Sequence, residues 1–156
     1  MSSEEQVLLE QVNPIVEAMG FSLVELRLNR SKRQTHVSIV IHHPKGVAIE
    51  DCAAVSRNLL PRLQLLEWLP GLRLEVSSPG LDRVLKSPAE FELFRGSGIR
   101  VWREGADDWI DGIDEGIIDG MLHLRVSGRL TEIPMERIRK AKLDGLRQPG
   151  NENRGV

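Results

Sequence analysis

In the first half of the chain, segments with apolar residues at helical spacing alternate with segments in which every second residue is apolar. Four apolar residues recur at helical spacing ahead of a glycine, which is typical of a helix end: Leu8, Val12, Ile15 and Met19. Three later segments alternate apolar and polar residues as half-buried strands do: 21–28, 35–41 and 72–76. An apolar stripe at helical spacing separates the last two: Cys52, Val55, Leu59, Leu63 and Leu66. The order helix, strand, strand, helix, strand predicts a small sheet with helices on one face.

Local signals predict where the helices begin and break. Ser3 and Gln6 have the spacing of a capping box, so we expect the first helix to begin there. Pro61 interrupts the second helical pattern and leaves open two shorter helical pieces. The run Ser87-Pro88-Ala89-Glu90 predicts the start of a third, short helix.

The second half changes to short strands separated by glycine and acidic turns. Five strands are predicted: 99–103, 109–117, 121–126, 130–134 and 138–143. Five short strands suggest a small barrel, and Gly112 and Gly116 fit the bends or bulges that let a sheet curl. The fold class is therefore α+β, with three segments: an N-terminal α/β domain at 1–87, a β-barrel domain at 88–147, and a disordered tail at 148–156.

The predicted first sheet has one face that no helix covers. Six polar side chains would lie on that face: Glu25, Arg27, His36, Ser38, Arg73 and Glu75. Such a face can meet a partner, and it can equally be plain solvent-facing sheet.

The segment Leu74–Arg83 is the most distinctive in the chain. It overlaps the first part of a predicted interdomain joint at 77–87. Its strand ends at Pro79-Gly80, close to two hydroxyls and the charged pair Asp82 and Arg83. In the structural interpretation the hydroxyls satisfy turn amides, and Asp82 pairs with Arg83 or a nearby backbone group. In the functional interpretation the same side chains contact a partner directly. The structural interpretation is favoured, because turns between domains commonly need such chemistry.

Composition narrows the classes of function. The 156 residues carry a formal net charge of -2, so any nucleic-acid contact must be local and not a matter of bulk charge. The only cysteine, Cys52, excludes an intrachain disulfide and a multi-thiolate zinc site, and it is assigned to the core. The acidic N-terminus and the lack of a long apolar run predict a cytoplasmic protein with no membrane partner.

The spacing of residues in the sequence excludes several kinds of functional site. The chain has neither a phosphate-binding loop nor a Gly-x-Ser-x-Gly elbow, and its adjacent His42 and His43 would point to opposite faces of a strand. The acidic run from Asp107 lacks two ligands of a calcium loop, because Trp109 and Ile118 occupy those positions, so a solvated strand face is predicted. No catalytic residue, cofactor or metal is therefore predicted.

RNA binding has partial support. The order of the first five elements resembles one arrangement of the KH module, but no two glycines lie three residues apart, so its Gly-x-x-Gly clamp is absent. Base stacking would need exposed aromatic rings, and the tryptophans are expected in or near cores.

Two motifs resemble those of the bacterial ribosome maturation factor RimP family. Residues 48–57 are similar to its Ile-Glu-Asp-Cys segment, and Leu74–Arg83 is similar to its Leu-Glu-Val-Ser-Ser-Pro-Gly-Leu-Asp-Arg motif. The chain departs from the family pattern at Val84, where proline is usual, and at His42, where aspartate is common. The candidate interdomain or ribosome-contact residues are Glu75, Ser77, Ser78, Pro79, Gly80, Leu81, Asp82 and Arg83. The second motif supplies Glu50, Asp51, Cys52, Ser56 and Arg57.

The resemblance implies an N-terminal α/β domain of KH-like two-layer form and a C-terminal Sm-like barrel. It also implies a noncatalytic role in maturing the small (30S) ribosomal subunit. The implied partners are ribosomal RNA and a ribosomal protein near the decoding region of the immature subunit. A monomer is the default expectation, independent of the resemblance. The alternative function is a general RNA-binding regulator that acts on free RNA, and a hydrolase is a remote third.

Overall fold

The computed structural model describes residues 2–80, 83–106 and 108–144. The chain forms two compact units, of which the first comprises Met1–His43 and Val47–Pro79. The described residues from Gly80 onward belong to the second unit. The division thus falls inside the predicted joint, whereas the domain limits at 87 and 147 stay predictions. The predicted tail at 148–156 lies outside the described residues.

The first unit has the predicted order of elements. These are α1 (Ser3–Ala18), β1 (Ser22–Arg30), β2 (Thr35–His42), α2 (Ile49–Gln64) and β3 (Leu72–Ser77). The sheet order is β1-β2-β3, with β1 antiparallel and β3 parallel to β2. Because β2 and β3 are parallel, the chain must cross over between them, and α2 makes that crossing.

Alternation along β2 explains where the core of the first unit lies. Val37, Ile39 and Ile41 are fully buried, while the residues between them are only partly buried. Apolar faces of both helices complete this core: Leu8, Val12 and Val16 from α1, and Val55, Leu59 and Leu63 from α2. The helices therefore cover one face of the sheet, as predicted.

Two details of the helices differ from the sequence-based expectations. The capping box of α1 is Ser2 with Glu5, one residue earlier than predicted: the Ser2 hydroxyl accepts the Glu5 N–H at 3.1 Å. The Glu5 carboxylate in turn accepts a hydrogen bond from the Ser2 N–H. Its negative charge makes it a stronger acceptor than the side-chain amide of Gln6. Helix α2 is continuous through Pro61, because the buried Leu59 and Leu63 hold both sides of that residue against the core.

The second unit is a curled antiparallel sheet preceded by a short helix. Its elements are α3 (Pro88–Leu93), β4 (Gly98–Arg103), β5 (Trp109–Ile118), β6 (Met121–Val126), β7 (Arg129–Pro134) and β8 (Ile138–Leu143). The strand order β7-β6-β5-β4-β8 forms a small barrel-like unit, so the α+β fold class is confirmed. Its buried interior includes Phe91, Phe94, Ile99, Val101, Leu122, Leu124 and Ile133.

Strand β5 bends where its glycines lie. At Gly116 φ is +96°, and the pairing with β6 shifts register between Asp114 and Ile117, so this is a bulge. At Gly112 an added Cβ would lie 2.6 Å from the Arg125 carbonyl oxygen, so only glycine allows β5 and β6 to approach this closely.

Asp114 corrects the interpretation of the acidic run as a solvated strand face. Its side chain is fully buried, on the same inward side of β5 as Gly112 and Gly116. The carboxylate oxygen Oδ1 accepts the Gly116 N–H at 2.8 Å, which fixes the bulge. Burial, the main cause, raises the pKa of this carboxyl to about 7.

Among the described residues, every helix is too short or too polar to span a membrane.

Candidate functional site at the interdomain joint

The first half of the joint follows directly from β3. Ser77 is the last residue of that strand, and its hydroxyl lies 3.5 Å from the Ile39 carbonyl oxygen of the neighbouring strand. Ser78 and Gly80 are exposed, and Pro79 is half-buried. Of the predicted hydroxyl contacts, the one at Ser77 is therefore made to a strand carbonyl and not to a turn amide.

Leu81 and Asp82 lie outside the described residues, so the pairing of Asp82 with Arg83 stays a prediction.

The second half of the joint is attached to the second unit through its backbone. The Leu85 N–H donates to the Ala141 carbonyl at 2.9 Å, and the Arg83 carbonyl accepts the Leu143 N–H at 2.8 Å. Val84 thereby forms an antiparallel bridge with Lys142 of β8. The segment that was predicted as a joint thus continues the second sheet beside its last strand.

An ion pair inside the second unit fixes Arg83. Its Nε lies 2.9 Å from Oε1 of Glu90, and the two side chains are only 16% and 12% exposed. The other Glu90 oxygen accepts the Lys86 N–H at 3.2 Å. Glu90 therefore connects two points of the joint to helix α3, and a charge pair this poorly hydrated needs both partners in place.

Glu90 is the site residue that the sequence reasoning missed. Its position three residues after Ser87 identified it as a helix-capping residue, and the Glu90 N–H does donate to the Ser87 hydroxyl at 3.4 Å. Its carboxylate, however, binds Arg83 and Lys86. A detectable signal was the pair of opposite charges seven residues apart, on either side of the apolar Val84 and Leu85.

The second motif begins helix α2. The Asp51 carboxylate accepts the Ala48 N–H at 2.8 Å, which caps the helix, and Glu50 adds a second negative charge in the first turn. Negative charge at this end is favourable, because the helix dipole is positive there. Cys52 is half-buried against the core, and burial raises the pKa of its thiol, so this cysteine behaves as a packing residue.

The remaining residues of the second motif lie one to two turns further along α2. Ser56 is half-buried, whereas Arg57 is exposed. Neither is part of the buried stripe that Val55, Leu59 and Leu63 form. Arg57 is therefore positioned to meet solvent or a partner.

The topology of the first unit brings the two motifs to one end of the sheet. Strands β2 and β3 are parallel and α2 packs against β3, so α2 must run in the opposite direction to both strands. The first turn of α2, with Glu50 and Asp51, therefore lies at the end where β3 finishes at Ser77. Two segments about 25 residues apart in sequence thus share one edge of this unit.

The predicted open face of the first sheet is also present. Strand register aligns Arg27, Ser38 and Glu75 in one row across the three strands, and His36 with Arg73 in the next. Glu75 is exposed, and its carboxylate lies 3.4 Å from Nε2 of His36. Glu75 therefore belongs to this polar face, and not to the turn that follows β3.

No metal site is found among residues 2–80, 83–106 and 108–144, where no three histidine, cysteine or acidic side chains are grouped to hold an ion. His42 is buried, which lowers its pKa to about 4, so its imidazole is neutral at physiological pH.

These features define a two-unit α+β protein whose most distinctive residues hold turns, helix ends and the joint in place. Residues 11–82 match the family model described as the RimP N-terminal domain, and this range includes the second motif and all but the last residue of the first. Over these 72 of its 156 residues, the chain is similar to the RimP family of ribosome maturation factors.

Proposed function

We propose that this protein promotes maturation of the small (30S) ribosomal subunit by noncatalytic binding to a subunit precursor. The observation that carries the proposal is the match of residues 11–82 to the RimP N-terminal domain. In the proposal the barrel-like second unit is Sm-like, and the protein acts in the cytoplasm as a monomer. Its partners are ribosomal RNA and a ribosomal protein near the decoding region.

The mechanism requires only a difference in affinity. A ligand shifts a conformational equilibrium when it binds one state more tightly than the other. A tenfold preference for a productive precursor corresponds to about 1.4 kcal/mol of free energy. The formal net charge of -2 supports a reversible contact, because a protein without excess positive charge is not held on RNA by bulk electrostatics.

The motif residues have a supporting role in this proposal. Asp51 caps a helix, Ser77 ends a strand and Arg83 pairs with Glu90, so each fixes the shape of a surface. Exposed residues of the two motifs, such as Arg57 and Ser78, are the candidates for direct ribosome contact.

Deletion of the gene in the organism that encodes it, followed by sucrose-gradient analysis of its ribosomes, tests the proposal. We expect free small and large subunits to accumulate, with unprocessed small-subunit RNA, and expression of the intact chain to restore the normal profile. The protein should also migrate with small-subunit precursors on the gradient. Normal subunit ratios and normal RNA processing in the deletion strain would refute the proposal.

The competing function is regulation of free RNA, and the same strains distinguish it. A regulator predicts tight and salt-sensitive binding to naked RNA, with the protein at the top of the gradient and unchanged subunit ratios.

A further inference from the structure

The outer face of the second sheet carries an aromatic and basic cluster across β5, β4 and β8. Strand register places Trp109, Trp102 and Lys140 in one row, and Asp111, Arg100 and Lys142 in the next. Alternate residues of β4, Ile99 and Val101, are fully buried, so Arg100 and Trp102 face outward. We name these six outward residues the Trp–Lys face.

The two tryptophans of this face lie outside the buried interior of the second unit, which narrows the expectation that the tryptophans lie in or near cores. Both are only partly buried, and their rings meet edge to face with centroids 5.6 Å apart. The fully buried residues of β4 are instead aliphatic, such as Val101. Indole rings that are partly accessible to solvent offer apolar surface to a partner.

Cations lie against the Trp109 ring. The Arg100 guanidinium carbon is 5.4 Å from the ring centroid, and the Lys142 ammonium is 5.0 Å from it. These contacts hold two positive charges close to an aromatic surface before any ligand arrives, which reduces the ordering cost of binding.

The charge of the face is positive. Asp111 pairs with Arg100 at 2.9 Å, and among the described residues no ion pair is recorded for Lys140 or Lys142. Lys140 is exposed to solvent and Lys142 is half-buried. Three cations against one carboxylate leave a local excess of two positive charges in a protein whose overall charge is negative.

We propose that the Trp–Lys face binds a single-stranded segment of RNA. Flat aromatic surface next to lysine and arginine is the combination that single-stranded nucleic acid requires, because bases contact rings while phosphates bind cations. An acidic peptide would use the cations but has no flat groups for the indole rings. The inference rests on the proposed function in one respect: the natural source of the RNA is then the small-subunit precursor.

The joint lies at the edge of this face. Val84 bridges Lys142 across the outer strand, so the joint segment is the next strand-like row beside the lysine. A disturbance of the Arg83–Glu90 pair would therefore reach the RNA-binding row through β8.

The test compares two double variants of the full chain in their binding to a fluorescein-labelled 12-nucleotide single-stranded RNA. Lys140→Gln with Lys142→Gln removes two cations of the face. Lys32→Gln with Arg33→Gln removes two exposed cations from the first unit and serves as the matched control. The face variant should weaken binding at least tenfold, and it should reduce the slope of log Kd against log salt by about 1.4, while the control should change neither.

Two further measurements complete the test. Trp109→Leu should weaken RNA binding fivefold or more with a smaller change in salt slope, because stacking and not charge is lost. The thermal unfolding midpoint identifies a variant that fails to fold, in which case the lysine variant decides. The inference would be overturned in favour of an acidic protein partner if the variant Lys140→Gln with Lys142→Gln no longer bound a poly-glutamate peptide but bound the RNA like wild type.

The outcome is separable from that of the proposed function. If the lysine variant binds RNA normally and also restores the gradient profile of the deletion strain, this face is refuted while the maturation role stands. If the deletion strain has a normal profile and the face still binds RNA, the maturation role is refuted alone.

Discussion

Replacement of Glu90 by glutamine is the sharpest test of how the joint is held. The change keeps the size of the side chain but removes the negative charge that lies 2.9 Å from the Arg83 guanidinium. The second unit contains a matched control, the ion pair between Arg139 and Glu104 at 2.7 Å. The two pairs have the same chemistry and similar geometry, and they differ mainly in exposure, which is 16% and 12% against 63% and 53%.

Burial sets the expected magnitudes. Removal of one partner from a fully buried pair costs about 3 to 5 kcal/mol, because the other charge is left without compensation. Glu90 keeps some contact with water, and glutamine retains one acceptor oxygen, so we expect a loss of about 2 to 3 kcal/mol. Glu104→Gln should cost about 0 to 1 kcal/mol, as exposed pairs do.

Urea unfolding followed by tryptophan fluorescence can measure both losses in the second unit. The three tryptophans of the chain are Trp68 in the first unit and Trp102 and Trp109 in the second. In a Trp68→Phe background the emission therefore reports on the second unit alone. Equal destabilisation by Glu90→Gln and Glu104→Gln would refute the reasoning, since it would mean that burial does not distinguish the two pairs.

Three further predictions concern stability. Burial raises the pKa of Asp114 from 3.8 to about 7, so between these pH values the folded protein binds a proton that the unfolded chain releases. The free energy of unfolding should therefore fall as pH rises from about 3.8 to about 7. Asp114→Asn should flatten the dependence of the urea midpoint on pH. Gly112→Ala should destabilise the second unit by about 1 to 3 kcal/mol in the same assay, because its Cβ would press on the Arg125 carbonyl. Arg30 binds both carboxylate oxygens of Glu4 at 2.7 Å, so Arg30→Lys should lower the thermal midpoint of the first unit by a few degrees, and an unchanged midpoint would contradict this.

The elements of the fold could largely be predicted from hydrophobic periodicity. Strand β8 was placed at 138–143 and strand β3 within one residue of its end, because alternation and the flanking turn residues were unambiguous. The pairing order of the second sheet could not be predicted, since the pattern says which face a residue takes but not which strand lies beside it. That order is what brings Lys140 opposite Trp102 and Lys142 opposite Arg100.

The candidate site was located by sequence but its chemistry was not. The turn at Pro79-Gly80 predicts a joint. The partner of Arg83 could not be predicted, because the sequence gives Glu90 an ordinary role as a helix-capping residue. The burial of Asp114 could not be predicted for a similar reason. A carboxylate among five other acidic residues is expected to be solvated, and only the strand register shows that it points inward.

The bridge between Val84 and Lys142 has a consequence for synthesis of the chain on the ribosome. Contacts of β8 close the second unit from both sides, with β4 and with residues 83–85, so that unit cannot complete until Leu143 has been translated. The first unit needs nothing beyond Pro79 for its own sheet, so it can fold while translation continues. A chain truncated before Ile138 would expose the edge of β4 and should be a target for aggregation or degradation.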